Sequence, residues 1–322
     1  MHAPLWVLGL VAQAATLAPS SSSSSRPVGN EVAARLVGAA LLERGSYEFA
    51  RSLCDDVGAR QGGTAQALRA VAWAEAAMKR AGLQKIKREP LQTRHWERGD
   101  CRAVLRGDGR SVGAGDQPLA VLALGGSVAT PPEGIEAEVV EARSLQEIAA
   151  LGARARGAFV FANVEMKANA DPSGYGAAAT MRWRGPSEAA RVGAVGFLFR
   201  SAGSGRHRLP HTGGLGYQAD APKIPAAALA AEDADLLQRR LAAGGKVKVH
   251  LKLDARDRGL VPSFNVVGEI PGSTRKNEIV LIGAHLDSWD VGQGALDDAA
   301  GCAMALDTAR LFSTLRLVPK RT

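Results

Sequence analysis

A histidine and four aspartates lie close together between residues 280 and 301, in the segment VLIGAHLDSWDVGQGALDDAAG. His285 and Asp287 are separated by one residue, and Asp297 follows twelve residues after His285. A neutral imidazole and a carboxylate are ligands that Zn²⁺ accepts. Side chains two positions apart in an extended chain point to the same side, so His285 and Asp287 are expected to act together. The pattern predicts a metal site with His285 and Asp297 as ligands.

The neighbouring carboxylates suit different tasks. Asp297 stands at the head of a predicted helix, where a carboxylate can bridge two metal ions. Asp287 is predicted either to fix the tautomer of the metal-bound histidine or to steer the metal-bound water. Asp298 is expected to cap the helix instead. An isolated His-x-Asp is more often an ordinary hydrogen-bonded pair, so it is the combination of these residues that favours a metal site.

The elements that must position these residues read as an α/β fold. NEIVLIGAHLD is predicted to be an apolar strand that ends in the polar residues, and DDAAGCAMALDTARLF a helix. Side chains at the carboxyl ends of strands converge on one crevice in such sheets. Towards the N-terminus, helices are predicted from Glu31, with a break at Gly45, and from an N-cap at Thr64 to about Arg80. A strand, QKIKREPLQ, is expected next.

The composition changes near Pro118, where short apolar runs alternate with Gly and Pro. From there to Ala255 the patterns predict strands in RGAFVFANV, over 195–199 and over 246–253, with helices from Ser187 and over about 232–243. We therefore expect an inserted β-rich domain over 118–255. It would divide the rest of the fold into the segments 26–117 and 256–322.

The N-terminus has an apolar run over residues 3–18, with Ala12 and Ala14 in an A-x-A arrangement, followed by a serine tract. This pattern predicts a signal peptide and linker over 1–25, and so a secreted, extracellular or periplasmic protein. No later segment offers some twenty unbroken apolar residues. Stable membrane insertion is therefore not expected.

The distribution of charge and the number of cysteines argue against two other classes, nucleic-acid-binding proteins and disulfide-stabilised domains. The net charge of +8 comes from 40 Lys and Arg scattered along the chain. The densest basic region, 79–102, contains acidic residues and lacks aromatic interleaving, so no nucleic-acid partner is expected. Three cysteines are too few for a disulfide framework. Pairing of Cys54 with Cys101 in an oxidising compartment stays open. His207 and His211, in GRHRLPHTGG, are expected to contact substrate or lie on the surface rather than bind metal.

HLDSWDVGQG followed by ALDDAAG resembles the co-catalytic zinc exopeptidases, in which His-x-Asp and then Asp-Asp-x-x-Gly open the active site. GTAQALRAVAWAEAAMKRAGL, VATPPEGIEAEVV, LPHTGGLGY and PKIPAAAL extend the resemblance over nearly the whole chain from about residue 30. It implies an α/β/α sandwich with a protease-associated insertion that walls the substrate cleft. It also implies a pair of zinc ions, with His285 binding one, Asp297 bridging both and Asp287 orienting the histidine. Small peptides or dipeptides are the implied substrates, and a homodimer is one assembly to expect.

The sequence departs from this family at LVPKRT, which closes it. The family's general base is the first Glu of a Glu-Glu pair that follows such a segment, and no Glu-Glu pair occurs in the sequence. We therefore expect the chain as given to be truncated and inactive. The alternative function is a non-catalytic module that binds peptides or a partner through its insertion.

Overall fold

The computed structural model of the chain describes residues 28–107, 115–205 and 207–322. It divides into two compact units, one up to Glu43 and one from Arg44 onwards. The first unit contains helix α1, Val28–Leu42, which confirms the helix predicted from Glu31. The predicted signal peptide and linker lie outside the described residues. No helix in the described part of the chain is long and apolar enough to cross a membrane.

The second unit is a mixed α/β fold with two sheets. Its helices are α2 (Gly45–Ser52), α3 (Ala65–Arg80), α4 (Leu145–Leu151), α5 (Ser173–Arg191), α6 (Ala231–Ala242) and α7 (Ala300–Thr314). Its strands are β1 (Gln84–Glu97), β2 (Cys101–Leu105), β3 (Gln117–Leu119), β4 (Val121–Ala123), β5 (Ile135–Ala142), β6 (Phe159–Ala162), β7 (Gly196–Arg200), β8 (Ala226–Leu229), β9 (Lys248–Leu253) and β10 (Arg256–Glu269).

The larger sheet has eight strands in the order β3-β2-β9-β5-β6-β7-β8-β4. Strands β5 to β8 are parallel, and antiparallel strands complete both edges. Successive side chains of β6 enter different clusters, as strand geometry requires. Phe159 and Phe161 pack with Leu237 of α6, whereas Val160 packs with Ile148 of α4. Both faces of the sheet are therefore buried.

The smaller sheet is an antiparallel ribbon of β1 and β10, paired from Gln84 with Glu269 to Glu97 with Arg256. The chain enters the large sheet after β1 and leaves it before β10, and the two links lie side by side. Asp254 N donates to Asp100 O at 3.0 Å across them. The large sheet also takes in β2, which precedes residue 118. The division into 26–117, 118–255 and 256–322 remains a prediction.

Three helices pack together beside the ribbon. Thr64 Oγ1 accepts a hydrogen bond from Ala67 N at 3.2 Å, which confirms the predicted N-cap of α3. Phe49 of α2, Ala77 of α3 and Leu306 of α7 share one buried cluster. Helix α7 is thereby held against α2 and α3.

Helix α5 is longer than predicted, because it begins at Ser173 rather than Ser187. Pro186 lies inside it and removes one backbone donor. The helix continues because its buried face, with Ala178, Met181 and Ala189, packs in the cluster on the sheet. A Cβ at Gly185 would overlap the Phe197 ring, so this glycine permits the close approach.

The strand predicted over NEIVLIGAHLD is not formed. Val280 N donates to Thr322 O at 2.8 Å, and Thr322 N donates to Glu278 O at 3.0 Å. Residues 281 to 284 belong to no strand, because no other strand among the described residues pairs with their backbone. Ile279 and Leu281 are 75% and 84% exposed. The prediction was wrong because apolar composition cannot supply the pairing partner.

Candidate metal centre

The imidazole of His285 lies between the carboxylates of Asp287 and Asp297. Nδ1 is 3.1 Å from Asp287 Oδ1 and 3.1 Å from the Asp287 carbonyl oxygen, and Nε2 is 2.8 Å from Asp297 Oδ1. The hydrogen bond to Asp287, followed by the charges of both carboxylates and the bond to Asp297, raises the pKa of His285 to about 9. The same hydrogen bond lowers the pKa of Asp287. Without metal, the imidazole is therefore a protonated link between two carboxylates.

The backbone of His285 is fixed by the helix that follows. Asp298 Oδ2 accepts from His285 N at 3.1 Å, and Asp298 Oδ1 accepts from Gly301 N at 3.1 Å. Asp298 thus caps α7, as predicted, and connects it to the histidine. Cys302 Sγ donates to His285 O at 3.3 Å. Burial, with the charge of Asp298, raises the pKa of Cys302 to about 11. All three cysteines are free thiols.

The donor atoms of this centre suit zinc in type. His285 Nε2 and Asp297 Oδ1 lie 2.8 Å apart and are hydrogen-bonded to each other. A nitrogen and an oxygen this close together can both serve as ligands of one zinc ion. In the described residues, no group of three His, Cys, Asp or Glu side chains is arranged to hold a metal ion. His285 and Asp297 would therefore supply two of the roughly three protein ligands that catalytic zinc takes. Their role as ligands, and that of Asp287 in orientation, stay predictions.

The segment 286–294, called the metal loop below, connects these residues and is held by an arginine that the sequence analysis missed. Arg60 is fully buried. Its Nε donates to Leu286 O at 2.6 Å, Nη2 donates to Gly294 O at 3.2 Å, and Nη1 donates to Gln293 O. Its backbone exchanges bonds with Ser288, whose Oγ accepts from Arg60 N at 3.1 Å. Burial lowers the pKa of Arg60, and the nearby thiols and carboxylates act in the opposite direction.

A second buried arginine, Arg98, joins the metal loop to the large sheet. It forms an ion pair with Asp290 of the loop at 2.6 Å. Its Nη1 donates to Ala123 O and, at 3.1 Å, to Thr212 Oγ1. Its guanidinium lies over the rings of Trp96 and Trp289, with centroid distances of 5.0 and 5.7 Å. Arg98 thus connects the large sheet to the metal loop, which joins the two candidate ligands.

The loop after β7 brings one of the two predicted loop histidines towards the metal centre. Burial and the charge of Arg182 lower the pKa of His211, whereas the charge of Asp297 raises it. His211 is therefore within electrostatic reach of Asp297. Its ring meets Tyr175 edge to face at 6.0 Å, and Arg182 Nη1 donates to the Tyr175 hydroxyl at 3.1 Å. His207 lines a small recess together with Ser201 and His211.

Comparison with known proteins relates the chain to peptidases. Residues 265–322 match the model of peptidase family M28. The chain is 40% identical to carboxypeptidase Q of Bos taurus over 277 residues, which are 86% of this chain and 56% of that protein. Carboxypeptidase Q of Homo sapiens is 39% identical over the same shares. The chain spans about half the length of these curated relatives.

Solved structures give the same result for the fold. The crystal structure of a peptidase M28 precursor from Shewanella amazonensis is 38% identical and superposes with a TM-score of 0.87, over 91% of this chain and 65% of that one. A zinc aminopeptidase from Bacillus subtilis is 20% identical, with a TM-score of 0.58 over 86% of this chain and 59% of that one, and shares the fold alone. The chain shares its fold with the M28 peptidase of known structure, and the residues of the candidate metal centre lie in the part that matches the family model. The chain is related to the M28 peptidases by sequence and structure, with carboxypeptidase Q among its relatives, which confirms the resemblance drawn from the sequence.

Proposed function

We propose that the protein is a zinc-dependent exopeptidase that hydrolyses small peptides or dipeptides. The observation that carries the proposal is the 2.8 Å approach of His285 Nε2 to Asp297 Oδ1. It occurs in a chain 40% identical to carboxypeptidase Q. A carboxypeptidase or dipeptidase type is favoured over an aminopeptidase, because the zinc aminopeptidase named above is only 20% identical.

The residues of the centre have distinct tasks in this proposal. When bound, zinc polarises a peptide carbonyl and activates water for attack. Asp287 accepts from Nδ1 of His285 and so keeps the proton on that nitrogen. Nε2 is then free to serve as a ligand once its own proton leaves, and Asp297 offers a carboxylate oxygen beside it. We propose that His211, with Tyr175 against its ring, contacts a peptide beside the centre.

The proposal includes the setting in which the protein works. The apolar run and A-x-A residues ahead of the serine tract support export to a secreted or periplasmic location. Small peptides are the proposed partners, and a homodimer is the proposed assembly. We propose no nucleic-acid ligand and no stable insertion in a membrane.

The test uses a chimera in which residues 26–322 are followed by the part of bovine carboxypeptidase Q that lies beyond the matched region. Zinc-dependent dipeptide hydrolysis should fall by about 10²-fold or more in His285→Gln and Asp297→Asn, since each removes a ligand that positions the metal. His95→Gln and Asp220→Asn are matched controls outside the centre, and both should retain activity. Residues 26–322 alone are expected to give no measurable turnover. Turnover that survives both ligand variants would overturn the proposal.

A second candidate is a non-catalytic module that binds peptides or a partner. It is favoured by the finding that the described residues bring two metal donors together and no third. Peptide binding by the chimera without turnover, at less than one zinc per chain, would support it over the exopeptidase.

A further inference from the structure

The metal loop joins the two candidate ligands without regular structure of its own. It contains no helix or strand between Leu286 and Gly294. His285 precedes it, and Asp297 lies three residues beyond its end. The separation of the ligands therefore depends on the bond from His285 N to Asp298 and on whatever holds the two ends of the loop together.

The side chain of Arg60 holds both ends at once. Its Nε donates to Leu286 O, next to His285, at 2.6 Å. The two Nη atoms donate to Gln293 O and Gly294 O at the other end. A planar guanidinium presents its donors in a fixed fork, so the directions of these bonds are set together. Ser288, in the first half of the loop, exchanges hydrogen bonds with the Arg60 backbone.

The surroundings of Arg60 differ from those of Arg98 and Arg200, two other buried arginines. Arg98 pairs with Asp290, and Arg200 pairs with Asp235. Within the described residues, the guanidinium of Arg60 has carbonyl oxygens as its hydrogen-bond partners instead of a carboxylate. Burying a charge is unfavourable unless polar groups compensate it, and here the loop carbonyls do so. The loop carbonyls thus stabilise the buried charge of Arg60, and the hydrogen bonds from Arg60 stabilise the conformation of the loop.

We propose that Arg60 is the positioning residue of the metal centre, closing the metal loop so that His285 and Asp297 reach one metal ion. Arg60 contacts neither the metal nor the substrate and acts through the loop. This inference rests on the proposed function, since it takes His285 and Asp297 to be ligands.

The experiment compares the wild-type chain with Arg60→Met and Arg60→Lys. Lysine keeps the charge but has a single nitrogen in place of the planar fork, so it cannot reproduce the three bonds that Nε and the two Nη atoms direct to the loop. Co²⁺ is titrated as a visible probe of the centre, and amide exchange is followed by mass spectrometry over residues 284–299. Both variants should bind Co²⁺ about 10- to 100-fold more weakly, as when groups that orient metal ligands are removed. Exchange over 284–299 should be faster, while β6 and β7 keep wild-type protection.

Arg200→Met is the matched control, because Arg200 is also a buried arginine and donates to Asn163 Oδ1 at 2.6 Å in the large sheet. It should lower the unfolding temperature but leave Co²⁺ affinity and exchange over 284–299 unchanged. Wild-type Co²⁺ affinity in Arg60→Lys would overturn the inference, as would an equal loss in Arg200→Met. If Arg60→Met does not fold, Arg60→Lys and Arg60→Gln provide the same comparison. If the wild type binds no Co²⁺, His285 and Asp297 alone do not hold the metal, and the exchange data decide whether Arg60 positions the loop: wild-type exchange over 284–299 in both variants would overturn the inference.

Discussion

Arg98 binds the carboxylate of Asp290 through two nitrogens, with Nε 2.9 Å from Oδ2 and Nη2 2.6 Å from Oδ1. Arg98 lies in the link that leads from β1 into the large sheet, and Asp290 lies in the metal loop. The same guanidinium donates to Thr212 near His211. Through its hydrogen bonds to Asp290 and Thr212, Arg98 therefore fixes the loop after β7 relative to the metal loop.

Asp290→Ala should be strongly destabilising, because it leaves the buried Arg98 cation without its carboxylate. The expected loss in the free energy of unfolding is about 3 kcal/mol, the magnitude found when one partner of a buried ion pair is removed. Urea denaturation provides the measurement. Asp220→Ala is the control, because Asp220 pairs with Arg191 at the surface and its side chain is 71% exposed. That variant should lose less than about 1 kcal/mol. Equal losses in the two variants would contradict the role of Arg98.

Gly125→Ala should disturb the contact between the large sheet and the metal loop, since a Cβ there would overlap the ring of Trp289. Overpacking of this kind costs about 1–3 kcal/mol of stability. Tryptophan fluorescence should shift with the displaced ring. Gly176→Ala, at a helical glycine with open space around it, should not destabilise the protein. In a Trp289→Ala background the cost of Gly125→Ala should disappear, and a cost that persists would refute the contact.

The Cys302 thiol should react slowly with iodoacetamide at pH 8. Only the thiolate reacts, and raising the thiol pKa from 9.0 to about 11 shrinks the thiolate fraction. The folded protein should therefore be alkylated about 100-fold more slowly at this residue than the urea-unfolded chain. The folded rate should climb as the pH rises towards 11, whereas the unfolded rate should level off near 9. Peptide mass mapping identifies the residue, and equal rates at pH 8 would contradict the raised pKa.

Leu281→Lys should increase the solubility of the chain. Leu281 is 84% exposed within the apolar run from Ile279 to Ile282, which belongs to no strand, and such an exposed run promotes association. Light scattering against concentration provides the measurement. Leu209→Lys is the matched control, since Leu209 is 73% exposed but has no apolar neighbours in sequence. An equal gain in both variants would show that the added charge, and not the run, determines solubility.

Much of the fold could be predicted because its causes are local. Thr64 precedes an amphipathic repeat and caps α3, and the all-apolar stretch Phe159–Ala162 can only be a strand buried on both faces. The start of α5 could not be predicted, since Pro186 signals a break that tertiary packing overrides. The pairing of residues 279–284 could not be predicted either, because a strand exists only beside a partner.

The residues of the candidate metal centre could be predicted from their types and spacing along the chain. The arginine that holds the metal loop could not. His285, Asp287 and Asp297 lie within thirteen residues, and the structure brings all three together. Arg60 is 226 residues from Leu286, the first carbonyl that it holds. A single arginine in a glycine-rich turn has no local pattern that predicts burial or a partner so distant.

The side-by-side links between the ribbon and the large sheet have an evolutionary consequence. Glu97 and Arg256 are already paired across the ribbon, so a short turn between them would make a plain hairpin and omit everything from 98 to 255. A unit attached in this way can be gained, lost or exchanged in one recombination event without rethreading the helices around the metal centre. The large sheet is in this sense a cassette, and exchange at positions 97 and 256 would replace it while the ribbon and the helices keep their own sequence.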